Sequence, residues 1–155
     1  MVKKLRILNV LAGIFLLAVS VSTVVAVPPA PLHIEVLEYP GDSAPVPFTA
    51  SGAAVDAGLV CAAGTVVDVS VTSNDPSGPF QILQVLKRFT CGDGSGTFDI
   101  KMVVKLDLAT HDTTARWQIA GGTGVYAGLK GQGSLIGMSI VPGISIQDSY
   151  DGKVH

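Results

Sequence analysis

The chain has 155 residues, 48% of them hydrophobic, and a formal net charge of −2 at pH 7. This length suits one domain with a single core, because two domains of half the size would each bury too little surface. Beyond the first six residues, which hold three of the ten Lys and Arg, the chain has seven basic residues against twelve acidic ones and no basic cluster. Such a chain binds nucleic acid and anionic membrane surfaces poorly, so the composition argues against both functions.

The N-terminal segment, MVKKLRILNVLAGIFLLAVSVSTVVAVPPAP, has the layout of a secretory signal peptide. Basic residues up to Arg6 precede a long apolar run, and small residues end this run at Ala26. The sequence therefore predicts a signal peptide over residues 1–26, a mature domain over residues 27–155 and a location outside the cytoplasm. A retained membrane anchor is the alternative, because the stretch 7–27 is about as long as the ~20 residues that a spanning helix needs.

The first part of the mature sequence contains two strand candidates separated by a loop. LHIEVLEY (32–39) and TVVDVSVT (65–72) alternate apolar and polar residues, the period of a half-buried strand. The segment ASGAAVDAGLVCAAG (50–64) is rich in alanine but interrupted by glycines, so it predicts a loop with at most one helical turn. A turn is expected at SNDPSGP, before the next strand.

The central part of the sequence predicts a β-hairpin. FQILQVLKRFTC (80–91) and TFDIKMVVKLDL (97–108) are the two strands, and the glycines of GDGSG (92–96) provide the turn. The second strand has the clearest alternation in the chain. Its apolar face consists of Phe98, Ile100, Met102, Val104, Leu106 and Leu108.

Three more strand candidates complete the chain: TARWQIA (114–120), SLIGMSI (134–140) and ISIQDSYDGKV (144–154). Seven or eight short antiparallel strands with almost no helix indicate an all-β barrel or sandwich. We favour a single closed antiparallel barrel of about eight strands, because closure leaves a small exported domain without free sheet edges.

Cys61 and Cys91 are the only cysteines of the chain. An even number of cysteines in an exported domain predicts a disulfide bond rather than two free thiols. Closing a loop of this length would stabilise the fold by about 3 to 4 kcal/mol.

The glycine-rich segment WQIAGGTGVYAGLKGQG (117–133) follows a strand, as the phosphate-binding turns of dinucleotide sites do, and Asp148 lies at the distance of a ribose-binding acid. Such a site needs a helix directly after the turn, and the later glycines disfavour one. We therefore expect no cofactor and interpret six glycines as structural: Gly121, Gly122, Gly124, Gly128, Gly131 and Gly133. Positive φ is expected at Gly122 and Gly124, whereas Trp117 or Tyr126 is expected to cover the glycines of the next strand.

The pattern W-x-I-x-G-G-T-G-x-Y-x-G-L-x-G-x-G, with FTCGDGSGTF and SYDGKV, resembles the dirigent and allene-oxide-cyclase-like β-barrels. The resemblance spans roughly residues 80–154 and is strongest to small secreted prokaryotic members of that group. It implies eight antiparallel strands around a largely apolar cavity, and a homotrimer like those of plant members. It assigns no catalytic residue to this chain.

The sequence contains no constellation typical of a catalytic or metal site. The histidines are far apart and lack ligand spacing: His33, His111 and His155. His111 lies in a polar turn and is expected to face solvent. Arg88 and Asp99, on neighbouring predicted strands, are expected to form an ion pair, and Asp93 is expected to cap its own turn.

The apolar strand faces predict a cavity with few charges, which would bind a small hydrophobic ligand. Its candidate lining is Phe98, Ile100, Met102, Val104, Leu106 and Trp117. The leading hypothesis is a non-catalytic exported barrel that binds such a ligand or takes part in an extracytoplasmic assembly. The alternative is an isomerase or cyclase that holds a reactive intermediate in a shaped cavity, which would require an ionisable group facing the cavity.

Overall fold

The computed structural model describes residues 28–41, 43–76 and 78–155. The predicted signal peptide, residues 1–26, lies outside the described residues. Within the described part of the chain, no helix has the length and apolar character needed to cross a bilayer.

The elements are, in chain order, β1 (Ala30–Glu38), β2 (Val46–Ser51), α1 (Ala53–Asp56), β3 (Ala63–Ser73), β4 (Phe80–Cys91), β5 (Thr97–Asp107), β6 (Thr113–Gly122), β7 (Gly131–Val141) and β8 (Ser145–Val154), with a 3-10 turn at Gly124–Tyr126 before β7. Each strand pairs antiparallel with the next, and β8 pairs with β1. The sheet is therefore a closed eight-stranded barrel, which confirms the fold predicted from the alternation.

The strand β2 was not predicted from the sequence and has only six residues. Pro45 and Pro47 make this segment resemble a turn, and proline inside a strand removes a hydrogen-bond donor. The strand forms nevertheless, because it buries Phe48 in the core while pairing with both β1 and β3. The expected helical turn in the following segment is α1.

The two ends of the barrel differ. At one end, here called the closed end, α1, the GDGSG turn and the 3-10 turn cover the interior, which aromatic side chains fill. Phe89 and Phe98 stack with ring centroids 4.9 Å apart, and Phe48 meets Phe89 edge-on at 5.2 Å. Tyr126 and Tyr150 pack against the same cluster. The opposite end, here called the open end, carries the β1–β2, β3–β4, β5–β6 and β7–β8 connections.

A disulfide bond joins the segment after α1 to the end of β4. Cys61 and Cys91 are both buried at the closed end, with Cα atoms 5.9 Å apart. The predicted disulfide is thus present.

The glycines of the 117–133 segment serve close packing more than unusual backbone angles. Gly124 has φ of 58°, but Gly122 is not among the positive-φ residues, so the expectation for Gly122 is wrong. A Cβ at Gly122 would meet the carbonyl oxygen of Tyr126, and one at Gly133 would meet the Trp117 ring. The other four differ: Cβ atoms at Gly124 and Gly131 would also collide with neighbouring atoms, whereas Gly121 and Gly128 have open space.

Candidate ligand-binding cavity

A cavity of about 410 Å³ lies inside the barrel at the open end. This volume falls in the range of small-molecule sites. Its apolar walls come from β3, β4, β5, β7 and the start of β8, through the side chains of Val71, Leu83, Val85, Met102, Val104, Leu106, Leu135 and Ile146. The interior of the barrel is therefore filled with side chains at one end and hollow at the other.

Met102, Val104 and Leu106, three of the six residues expected to line a cavity, do so. The other three, Phe98, Ile100 and Trp117, are fully buried in the packed core instead. Phe98 and Ile100 lie nearer the closed end, where the aromatic cluster fills the interior. Trp117 pairs with Met102 but borders a second depression, which crosses β3 to β7. Trp117 lies over the backbone of two glycines and donates a hydrogen bond from its indole N–H to the Ser134 carbonyl oxygen, 2.9 Å away.

A β-bulge in β3 shapes one wall of the cavity. Asp68 pairs with Lys87 and Ser70 pairs with Leu86, so Val69 is the extra residue. An extra residue reverses the alternation of the strand beyond it. As a result, Val71 lines the cavity, while Ser70 lines a depression on the other side of the sheet.

Charged residues form the floor of the cavity. We call Glu38, Asp68, Lys87 and Asp148 the charged floor; all four line the cavity. The Lys87 ammonium nitrogen lies 2.5 Å from Glu38 Oε2 and 2.6 Å from Asp68 Oδ1. Burial alone lowers the pKa of Lys87, but the charges of Glu38 and Asp68 outweigh burial and raise it. Lys87 is therefore a cation held between two carboxylates.

Asp148 is the fourth member of the charged floor and has no such partner. Its side chain is 6% exposed, and its Oδ1 has no hydrogen-bond partner among the described residues. Burial, followed by the negative charge of Glu38, raises the pKa of Asp148 to about 8, although Lys87 opposes the shift. At neutral pH this residue is mostly a neutral carboxylic acid facing an apolar cavity.

The backbone around Asp148 leaves room for its carboxyl group. Gly137 of β7 pairs with Asp148, and a Cβ at Gly137 would collide with the Asp148 carboxyl and the Thr113 hydroxyl. Glu38, on the other neighbouring strand, also has a buried oxygen, Oε1, without a partner among the described residues. The floor therefore presents two unsatisfied oxygens.

The expectation of few charges in the cavity is wrong, and the sequence contains a signal that would have corrected it. Each charged residue lies on the apolar phase of its strand: Lys87 lies between Val85 and Phe89, and Asp148 is two residues before Tyr150. Glu38 likewise continues the buried alternation of β1. A charge at such a position must point into the barrel.

His111 differs from its expected role as a solvated turn residue. It lines the cavity at the open end and is half-buried, with φ of 64°. Its Nδ1 is buried without a partner among the described residues. The β5–β6 connection therefore contributes a polar group to the mouth of the cavity.

Two expected surface interactions are present away from the cavity. Arg88 donates two hydrogen bonds of 2.9 Å to the Asp99 carboxylate across β4 and β5. The Asp93 carboxylate accepts a 2.9 Å hydrogen bond from the Ser95 backbone N–H within its own turn. On the outer surface of β1 and β8, His33 lies 2.8 Å from both Glu35 and Asp151. Within the described ranges, no cluster of three or more side chains has the arrangement of a metal site.

A second depression, of about 720 Å³, crosses β3 to β7. Much of its lining is polar and faces outward, including Gln84, Arg116 and Gln118. None of the buried unpartnered polar atoms of the described residues belongs to this lining. The interior cavity is therefore the better candidate site.

Comparison with protein-family models gave no match to this chain, and neither did comparison with curated protein sequences.

Proposed function

We propose that the barrel binds a small apolar molecule with a polar head group in its open-end cavity. The observation that carries this proposal is the pair of buried, unpartnered oxygens, Glu38 Oε1 and Asp148 Oδ1, beneath apolar walls. A buried polar atom without a partner costs about 1 to 3 kcal/mol, and a ligand head group that pairs with it recovers part of that cost.

The proposed location is outside the cytoplasm. The Cys61–Cys91 disulfide supports this proposal, because such bonds persist mainly in oxidising compartments. The signal-like N-terminal segment points the same way. We also propose that the chain is related to the dirigent and allene-oxide-cyclase-like proteins, and the closed eight-stranded barrel supports this relationship.

An assembly role is compatible with ligand binding. The outward face of β7 exposes three large apolar side chains in a row, Ile136, Met138 and Ile140, each about 60% exposed. Exposed apolar strips of this kind are typical of protein interfaces. Native mass spectrometry of the exported protein would report both the number of associated chains and any ligand that co-purifies.

The binding proposal is tested with N-phenylnaphthylamine, a neutral probe whose fluorescence rises in apolar surroundings. Met102→Asp places a charge on the cavity wall and should weaken probe binding by at least about tenfold, or 1.4 kcal/mol. Val103→Asp is the matched control, because Val103 is 57% exposed on the same strand, whereas Met102 is 5% exposed. Leu106→Trp fills the cavity without adding charge and should also reduce binding. Equal affinity in all four proteins would exclude the interior cavity as the binding site.

An isomerase or cyclase is the second candidate function, and Asp148 is the observation that favours it. A carboxylic acid with a pKa of about 8 can donate a proton to a bound substrate near neutral pH and recover it afterwards. If the co-purified ligand is converted by the protein, Asp148→Asn should stop conversion while preserving binding. Recovery of the ligand unchanged after prolonged incubation would support the binding function alone.

A further inference from the structure

We infer that the cavity selects amphiphiles with a protonated amine head group and rejects those with a carboxylate head group. This inference rests on the proposed binding function and specifies the ligand class of the same cavity. It is carried by the number and placement of the acceptors and charges in the charged floor.

The acceptors on the charged floor outnumber its donors. Lys87 satisfies Glu38 Oε2 and Asp68 Oδ1 but does not pair with Glu38 Oε1 or Asp148 Oδ1. Glu38 and Asp148 lie on neighbouring strands, where Val36 pairs with Asp148 and Glu38 pairs with Ile146. Inward-facing positions related diagonally in this way are about 7 to 8 Å apart, close enough for one small head group to lie between the two carboxyls.

The three carboxyl groups and one ammonium of the floor favour a second cation. An alkylammonium head has three N–H donors and no acceptor, so it can donate to both unpartnered oxygens, and its positive charge offsets the negative charge of an ionised Asp148. A hydroxyl head has only one donor. A carboxylate head has no donor and would add a negative charge next to those of the floor, which is costly in an apolar cavity.

Amine binding is coupled to the loss of one proton from Asp148. Without an amine beside it, this carboxyl keeps its proton near neutral pH because it is buried close to other negative groups. The groups around it are Glu35 and Glu38 of β1, Asp68 of β3, Lys87 of β4, Tyr150 of β8 and His111 of the β5–β6 connection. When the ammonium arrives, the Asp148 proton passes to solvent and the carboxylate pairs with the ligand. No covalent bond forms or breaks in the ligand.

This coupling gives the amine a pH dependence that a neutral ligand lacks. Below pH 8, the affinity for an amine should fall about tenfold for each unit by which the pH is lowered, because binding must first displace the Asp148 proton. Above pH 8 the affinity should level off. An alcohol of the same length should bind with almost the same affinity throughout this range.

The test is isothermal titration calorimetry with three probes that share one tail: octylamine, octanol and octanoate. At pH 7, octylamine should bind at least about tenfold more tightly than octanoate. It should also release close to one proton, measured by repeating the titration in phosphate and in Tris, whose ionisation enthalpies differ. Asp148→Asn should abolish the proton release and reduce the preference for octylamine, while octanol binding persists. Asp151→Asn, on the outward face of the same strand, is the control and should behave like the unmodified protein.

The outcomes separate the head-group inference from the binding function. Binding of octanoate as tight as that of octylamine, or tighter binding of octanol without proton release, would overturn the inference and leave the binding function intact. If none of the three probes binds and N-phenylnaphthylamine also fails to bind, both proposals are refuted. If proton release persists in Asp148→Asn, the proton comes from another group and the inference is refuted as well.

Discussion

Replacing Asp148 with asparagine should make the protein more stable at neutral pH. An aspartate in the unfolded chain ionises near pH 3.9, whereas burial raises the pKa of Asp148 in the barrel to about 8. Between these two values the folded protein holds a proton that the unfolded chain has lost. The free energy of unfolding therefore decreases as the pH rises, by up to about 1.4 kcal/mol per pH unit.

At pH 7 the raised pKa of Asp148 lowers the free energy of unfolding by about 4 kcal/mol. This penalty is the difference of about 3 units between pH 7 and the pKa of aspartate in the unfolded chain, multiplied by about 1.4 kcal/mol per unit. Asparagine has a similar shape and cannot ionise, so Asp148→Asn should remove most of this penalty. The variant should match the unmodified protein near pH 4, exceed its stability at pH 7 and exceed it further at pH 9.

Urea unfolding at pH 5, 7 and 9, followed by the fluorescence of the single Trp117, measures this difference with the disulfide intact. Asp75→Asn is the control, because Asp75 is exposed in the β3–β4 connection, and surface changes of this kind alter stability by about 0.5 kcal/mol or less. The reasoning would be refuted if Asp148→Asn were less stable at pH 7, or if its difference from the unmodified protein were independent of pH.

Three further changes test the other features of the barrel by the same urea assay. Lys87→Met should lower the free energy of unfolding by about 3 to 5 kcal/mol, because it leaves a buried carboxylate without its cation. A loss below about 1 kcal/mol would show that the ion pairs of Lys87 contribute no more than exposed ones do. Replacing both Cys61 and Cys91 with alanine should lower the free energy of unfolding by about 3 to 4 kcal/mol. In the unmodified protein, thiol titration after unfolding without a reductant should find no free thiol. Gly133→Ala should cost about 1 to 3 kcal/mol, because its Cβ would collide with the Asp151 carbonyl oxygen and with the tryptophan ring. Gly128→Ala has open space and should change stability by about 0.5 kcal/mol or less.

Alternation along single strands was sufficient to predict most of the barrel. The segment 80–91 coincides with β4, and the segment 97–108 exceeds β5 by one residue. Their ion pair between Arg88 and Asp99 also followed from the predicted hairpin. These features are local, because each depends on residues within one strand or one tight turn.

The location of the cavity could not be read from any one strand. Phe98 and Leu106 occupy the same face of β5, yet one is in the filled half of the barrel and the other lines the hollow half. What separates them is the aromatic cluster contributed by other strands. Likewise, the role of Asp148 depends on the register of β8 with β7, which brings Gly137 beside it, and on the register of β8 with β1, which brings Glu38 near it.

The pairing of β1 with β8 has a practical consequence for engineering. Ala30 pairs with Val154 at the closed end, so the beginning and end of the barrel lie side by side. A short linker could join them, and new termini could be opened in the β3–β4 connection. Such a circular permutant would keep all eight strand pairings, since chain breaks at exposed loops are well tolerated. Because β8 ends at Val154 on the closed end, a tag attached directly after this strand would immobilise the protein with its cavity accessible to ligands.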